Sequence, residues 1–169
     1  MDDLIITGTT ADEIDHFKKQ MKDLSQMSDL GLLRYYLGIE VKQEEGVIIV
    51  CQSSYAAKIL QDACMEQCNS WSTPMENRLK LKKNTGQAAE ATQYRSMIGS
   101  LRYMVNTRPD IAYAVGILSR FMESPGKDHW IAVKQLLRYI KGTLGYGCIF
   151  RKGEKEVLTG YSDSDHAGD

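Results

Sequence analysis

The chain has 169 residues, about the length of one large domain or two small ones. Apolar residues make up 43% of it and charged residues 25%, a composition that excludes a disordered chain, a collagen-like repeat and a coiled coil. No apolar run is long enough for a transmembrane helix, so no membrane partner is expected. The acidic start, residues 1–4, predicts no signal peptide. The four cysteines are then expected to be reduced thiols of an intracellular protein, cytoplasmic or nuclear.

Charge is unevenly distributed along the chain. Residues 1–75 carry 6 basic and 12 acidic side chains, whereas residues 76–150 carry 12 basic and 5 acidic ones, a net charge of +7. A basic segment of this kind favours contact with a polyanion such as nucleic acid. A chance distribution over a solvated surface is the alternative.

The N-terminal third predicts a strand, a helix and a β-hairpin. Residues 4–7 are typical of a strand, and Thr10 with Glu13 has the pattern of a capping box. The helix that follows carries its apolar residues on one face: Ile14, Phe17, Met21 and Leu24. Residues 33–42 and 46–51 are rich in aromatic and β-branched side chains, which predicts two strands joined by a glycine-containing turn.

The rest of the chain is predicted to be mostly helical. Ser53 or Ser54 is expected to cap a helix, and residues 69–90 are expected to form an irregular linker. Three further helices and then two strands are predicted, over residues 92–106, 110–122, 128–141, 145–150 and 156–162. Because the apolar period changes from 2 to about 3.6 along the chain, we expect an α+β fold.

Two groups of carboxylates are candidate metal ligands. Asp2 and Asp3 are adjacent, and neighbouring carboxylates repel one another unless a cation lies between them. Asp163 and Asp165 are two residues apart and would share one face of a strand. Oxygen ligands of this type suit magnesium. Each group could equally be a solvated acidic terminus.

A third candidate site is the basic face of the last predicted helix. Lys127, Lys134, Arg138 and Lys141 fall on one side of it. The opposite side carries the apolar residues Trp130, Val133, Leu137 and Ile140. Such a stripe could follow a phosphate backbone, or it could be an ordinary solvated helix face.

Other chemical groups are weaker candidates. Cys64 and Cys68 are one helical turn apart, without a second ligand pair at zinc-finger spacing. His16 and His129 are expected at the surface or at a core boundary. The sequence contains no GxSxG, GxGxxG or GKS/T motif, so hydrolase, Rossmann and P-loop functions have no support.

Several motifs in order resemble the Pol polyprotein of copia-type retrotransposons, in the style of its plant members. They are residues 1–8, 17–31, 35–41, 52–56, 72–75, 94–103, 107–111, 137–143 and 161–169. The resemblance covers essentially the whole chain. It begins at the end of the YxDD motif of reverse transcriptases, without the tyrosine.

The resemblance implies three parts: a partial palm with a hairpin over residues 1–52, helices of the thumb and connection over 53–144, and the start of an RNase H-like domain over 145–169. Asp2 and Asp3 match the magnesium-binding pair of the polymerase, and Asp163 matches the first RNase H aspartate. Leu37-Gly38 matches the hairpin that grips the primer terminus. The helices would hold an RNA–DNA or DNA duplex, weakly in this chain.

The resemblance also implies that a third palm carboxylate, the fingers and most of RNase H have no match in these residues. At position 166 a histidine stands where the family usually has tryptophan. We therefore expect a polymerase fragment that is inactive alone, and the sequence leaves open whether the chain is an enzyme. A non-catalytic module that binds nucleic acid or protein for a host, or a pseudogene product, are the alternatives. The oligomeric state is not predicted.

Overall fold

A computed structural model describes residues 4–77, 79–83 and 87–153. Its helices are α1 (Ala11–Leu24), α2 (Ser53–Asp62), α3 (Ala91–Met104), α4 (Ala112–Ser119) and α5 (Lys127–Gly142), with a 3₁₀ turn over Pro109–Ile111. Its strands are β1 (Tyr35–Tyr36), β2 (Ile39–Glu44), β3 (Val47–Cys51) and β4 (Gly147–Arg151). The α+β prediction is confirmed, and the helices predicted from residue 92 onward lie close to their expected bounds.

The four strands form one antiparallel sheet in the order β1-β2-β3-β4. The prediction of a single strand over residues 33–42 is wrong, because the chain reverses between β1 and β2. Tyr36 pairs with Ile39, which leaves Leu37 and Gly38 as a two-residue turn. Both have positive φ, 48° and 83°, as in the type I′ turn that suits the twist of antiparallel strands.

Strand β4 brings the C-terminal end of the described chain against the β2–β3 hairpin. It pairs with β3 from Val47 opposite Arg151 to Cys51 opposite Gly147. The sheet thus joins the hairpin of the first predicted part to the beginning of the third. The division at residues 52 and 144 stays a prediction, and the strand predicted over 156–162 lies outside the described residues.

Helices α2 to α5 enclose the apolar core, because each has one face of large aliphatic residues. Leu60, Ile98, Leu118 and Leu137, one from each helix, are at most 2% exposed. The Tyr94 hydroxyl donates to the Leu118 carbonyl at 2.8 Å and so ties α3 to α4. Its desolvation in the core raises the pKa of this phenol well above its usual value.

The N-terminal end of α2 is capped from the sheet. Gln52 precedes the helix, and neither Ser53 nor Ser54 caps it with a side chain as predicted. Instead, a Glu40 carboxylate oxygen on β2 accepts from the Ser54 backbone N–H at 2.7 Å. This hydrogen bond lowers the pKa of Glu40. The cap was missed because it comes from 14 residues away.

Two predictions for the N-terminal segment are wrong. Residues 4–7 form no strand, and they lack a paired neighbour in the described sheet. Thr10 precedes α1 with an extended backbone but makes no side-chain capping hydrogen bond. The helix itself is confirmed, yet none of its residues is buried, and Leu24 keeps 81% of its surface exposed. Its apolar face therefore contributes little to the core.

His129 is completely buried, so its predicted surface or boundary position is wrong. The Gly126 N–H donates to its Nδ1 at 2.7 Å, which places the ring proton on Nε2, 3.1 Å from the Lys82 carbonyl. The ring stacks on Phe121 with 3.9 Å between centroids. His129 thus anchors the irregular segment before α3 to the start of α5. His16 is exposed, as expected.

Candidate nucleic-acid interface

The predicted metal ligands Asp2, Asp3 and Asp163 lie outside the described residues. Within residues 4–77, 79–83 and 87–153, no three His, Cys, Asp or Glu side chains come together as a group that could hold a metal ion. Cys64 and Cys68 are free thiols. The assignment of magnesium to Asp2, Asp3 and Asp163 therefore rests only on the family resemblance. In the described ranges no helix has the length and apolar character needed to cross a membrane.

The Leu37-Gly38 turn is presented to solvent at the tip of its hairpin. Leu37 is 70% exposed, although its left-handed backbone is costly for a branched side chain. The turn is held by α3, because the Tyr103 hydroxyl donates to the Leu37 carbonyl. The Tyr103 ring packs edge-on against Tyr55 of α2 at 5.3 Å between centroids. An exposed leucine is thus held in a defined position by two core helices.

Helix α5 has the two faces that its sequence predicts. Val133, Leu137 and Ile140 are fully buried on one side. On the other side Lys127 and Lys134 are exposed, whereas Arg138 and Lys141 are half-buried. None of these four cations has a carboxylate within ion-pair distance among the described residues. Within the described ranges, no ion pair neutralises the positive charge of the stripe.

Arg138 is already engaged with its own chain. Its Nε donates to the Asn69 carbonyl at 2.7 Å, and its guanidinium lies 4.7 Å from the centroid of the Trp71 ring. It therefore holds the predicted linker against α5, which sequence periodicity could not reveal. Lys127 and Lys134 are the stripe residues best placed to contact a ligand. No hydrogen bond or ion pair among the described residues joins the stripe to the Leu37-Gly38 turn.

Comparison with known proteins decides the family. A family described as reverse transcriptase (RNA-dependent DNA polymerase) matches residues 1–77. An uncharacterised mitochondrial protein of Arabidopsis thaliana is 34% identical over 168 residues, covering 99% of this chain and 70% of that protein. The chain belongs to the reverse transcriptase family of copia-type retrotransposons.

Two Pol polyproteins of plant transposons extend this comparison. The retrovirus-related Pol polyprotein from transposon TNT 1-94 of Nicotiana tabacum is 39% identical over 180 residues, and that from transposon RE2 of A. thaliana is 36% identical over 170. Each match covers all of this chain but only 13% and 12% of the respective polyprotein. No solved structure matches the chain significantly. The resemblance inferred from the ordered motifs is thus confirmed.

The reverse transcriptase profile includes the Leu37-Gly38 turn but ends before α5. The alignments with the mitochondrial protein and the Pol polyproteins cover both features, since they span nearly the whole chain. Helix α5 therefore lies outside the residues that the reverse transcriptase family matches. It lies within the part of the chain that aligns with the Pol polyproteins.

Sequence reasoning did not identify Arg108 as a buried arginine. It is 2% exposed and donates to both carboxylate oxygens of Asp110 at 2.8 and 2.9 Å. It also donates to the carbonyl and the hydroxyl of Thr143, which ties the residue before the 3₁₀ turn to the end of α5. Burial opposes ionisation of Asp110, but hydrogen bonds from Arg108 and Tyr139 outweigh it and lower its pKa. The Arg-Pro-Asp sequence could have indicated this ion pair, because Pro109 begins a 3₁₀ turn that brings the side chains of Arg108 and Asp110 together.

Proposed function

We propose that this chain is the duplex-holding part of a copia-type RNA-directed DNA polymerase, with helix α5 following the phosphate backbone. The observation that carries the proposal is the basic face of α5, whose cations have no carboxylate partners among the described residues. Lysines on such a face bind phosphates without reading sequence. In this proposal residues 1–52 belong to the palm, 53–144 to the thumb and connection, and 145–169 to the beginning of RNase H.

The turn at Leu37-Gly38 has a separate role in the proposal. A solvent-facing leucine in a strained, rigidly held turn is suited to contact the end of a primer strand through sugar and backbone. Tyr103 supports it from α3, so the turn keeps its shape without a bound ligand. Preorganisation of this kind reduces the entropic cost of binding.

The duplex-binding role is tested by the salt dependence of affinity for a blunt RNA–DNA duplex. If three or four phosphates are engaged, log affinity against log salt should have a slope of about −3 to −4, with a dissociation constant of about 10⁻⁴ to 10⁻⁶ M at physiological salt. Replacing Lys127 and Lys134 with glutamine should flatten the slope by about 1.8, or about 0.9 per phosphate.

The matched control replaces two exposed lysines outside the stripe, Lys19 of α1 and Lys58 of α2, with glutamine. It changes net charge equally and should leave the slope unaltered. Equal effects of the two double variants would show that only overall charge matters, and the interface at α5 would be abandoned.

We further propose that the chain alone extends no primer with magnesium and nucleotides, because none of its residues matches the third palm carboxylate or the fingers. Asp2 and Asp3 would hold magnesium in the complete site, where the metal activates the primer hydroxyl. Primer extension above that of a variant with Asp2→Asn and Asp3→Asn would disprove this part of the proposal. It would leave the duplex-binding part standing.

A further inference from the structure

A cleft of about 610 Å³ opens beside the C-terminal turn of α5. One wall is the end of that helix, with Tyr139 and Thr143, and the other is the segment around Trp71. Tyr146 completes the lining and is 57% exposed. The volume lies in the range of small-molecule sites, about 300–1,000 Å³.

The two walls are locked together by close packing. A Cβ atom added to Gly142 would lie only 3.0 Å from the Ser70 Cβ, so this glycine lets the segment approach the helix. The Trp71 N–H donates to the Arg138 carbonyl at 3.2 Å. The cleft is therefore a property of the folded core and does not depend on a bound ligand.

Arginines hold the aromatic rings of the cleft in place. The Arg108 guanidinium lies 5.7 Å from the Tyr139 ring centroid and 5.3 Å from that of Tyr146. Arg138 lies over Trp71. Since each arginine occupies one ring face, the exposed faces of Trp71 and Tyr146 are preorganised for a further planar group.

The charges beside the cleft favour a ligand with phosphate. Asp110, the nearby carboxylate, is neutralised by Arg108. Arg138 and Lys141 have no carboxylate partner in the described parts of the chain. The last carbonyls of α5 would repel an anion, but directly after the helix Arg108 places its positive charge on the Thr143 carbonyl. Aromatic rings that can stack, beside a cation such as Lys141, are the combination by which proteins bind unpaired nucleotides.

We infer that this cleft receives an unpaired nucleotide at the end of the duplex held along α5. Seven residues separate Lys134 from Lys141, or about 10.5 Å along the helix axis, close to three base-pair steps of about 3.4 Å. A strand leaving a duplex at Lys134 would thus reach the cleft. The inference rests on the proposed duplex binding, and its experiment separates the two.

The test uses Trp71 as the reporter, in a Trp130→Phe background that removes the other tryptophan of the chain. Three nucleic acids are titrated: a blunt RNA–DNA duplex, the same duplex with a four-nucleotide unpaired extension, and the free single strand. The extended duplex should bind about tenfold tighter than the blunt one and should quench Trp71, because stacking contributes about that much per base.

Tyr146→Ala should abolish the preference for the extended duplex and leave blunt-duplex affinity unchanged, whereas Tyr146→Phe should keep the preference. Tyr113→Ala, which removes a 75% exposed tyrosine on α4, is the matched control and should keep it too. Equal affinity for both duplexes with unquenched Trp71 overturns the inference alone. If no duplex binds, the proposed function fails. The free strand then decides: quenching of Trp71 supports the cleft, and its absence overturns it.

Discussion

Replacing Arg108 with methionine should lower the free energy of unfolding by about 3 kcal/mol. The guanidinium makes four hydrogen bonds, to Asp110 and Thr143, at 2.8 to 2.9 Å. Removing one partner of a buried ion pair costs about 3–5 kcal/mol. The lower end applies because the Asp110 side chain is 34% exposed and can regain water. Methionine keeps most of the apolar stem, so the loss reports the charge and its hydrogen bonds.

Urea unfolding followed by far-ultraviolet circular dichroism measures this change in free energy. In thermal unfolding, the melting temperature should fall by about 6–12 °C for a domain of this size. Arg102→Met, an exposed site on α3, is the matched control and should change stability by less than about 0.5 kcal/mol. Adding Asp110→Asn to Arg108→Met should recover part of the loss, because it removes the unpaired carboxylate. A loss below about 1 kcal/mol for Arg108→Met would refute the reasoning.

The same ion pair predicts a pH dependence. The folded pKa of Asp110 lies below its unfolded value of about 3.9. A lowered carboxyl pKa stabilises the fold above the unfolded pKa, and this stabilisation is lost as pH falls through the folded pKa. The stability difference between wild type and Arg108→Met should therefore be full at neutral pH and should shrink below about pH 4. A difference that stays constant down to pH 2 would contradict this assignment.

Three further variants test other parts of the fold. Leu37→Asn should raise stability by about 1 kcal/mol in thermal unfolding, because asparagine tolerates positive φ; no gain would argue against the left-handed turn. Glu40→Ala should lower the free energy of unfolding by about 1 kcal/mol at neutral pH, because α2 loses its cap. The Ser54 N–H lowers the pKa of Glu40, so the stabilisation is present above the unfolded pKa and is lost as the pH falls through the folded pKa. His129→Ala should cost about 3 kcal/mol in urea unfolding through lost packing and unpaired backbone groups, and a change under 1 would mean that this histidine is not part of the core.

The helical half of the chain was predictable from local pattern. Helix α5 was expected over residues 128–141 and spans Lys127–Gly142, because its apolar residues recur every three or four positions. The paired strands β2 and β3 followed from β-branched residues around Gly46. Each of these signals is formed by residues that are close together in the sequence, so it can be recognised without the tertiary structure.

Two of the wrong predictions, at Leu37 and at His129, concern residues whose partners are distant in sequence. The reversal at Leu37 was not expected, because leucine is among the residues that avoid positive φ. It is supported by a hydrogen bond from Tyr103, 66 residues further along the chain. Histidine is a polar residue that the sequence gives no reason to bury, and the Lys82 carbonyl that pairs with His129 is 47 residues away. No local periodicity carries such information.

Family membership and the order of the helices follow from the residues alone, because ordered motifs and apolar periodicity are present in the linear sequence. Which polar side chains bind other parts of the protein, and which remain accessible, is decided only by the tertiary structure. Arg138 looks equivalent to Lys134 on a helical projection, yet it is bound to the segment at Asn69 and Trp71. Arg108 can be buried because its guanidinium is bound both by the Asp110 carboxylate and by Thr143 at the end of α5. Folding places these partners together, and that placement separates the cations that stabilise the protein from those that remain available to nucleic acid.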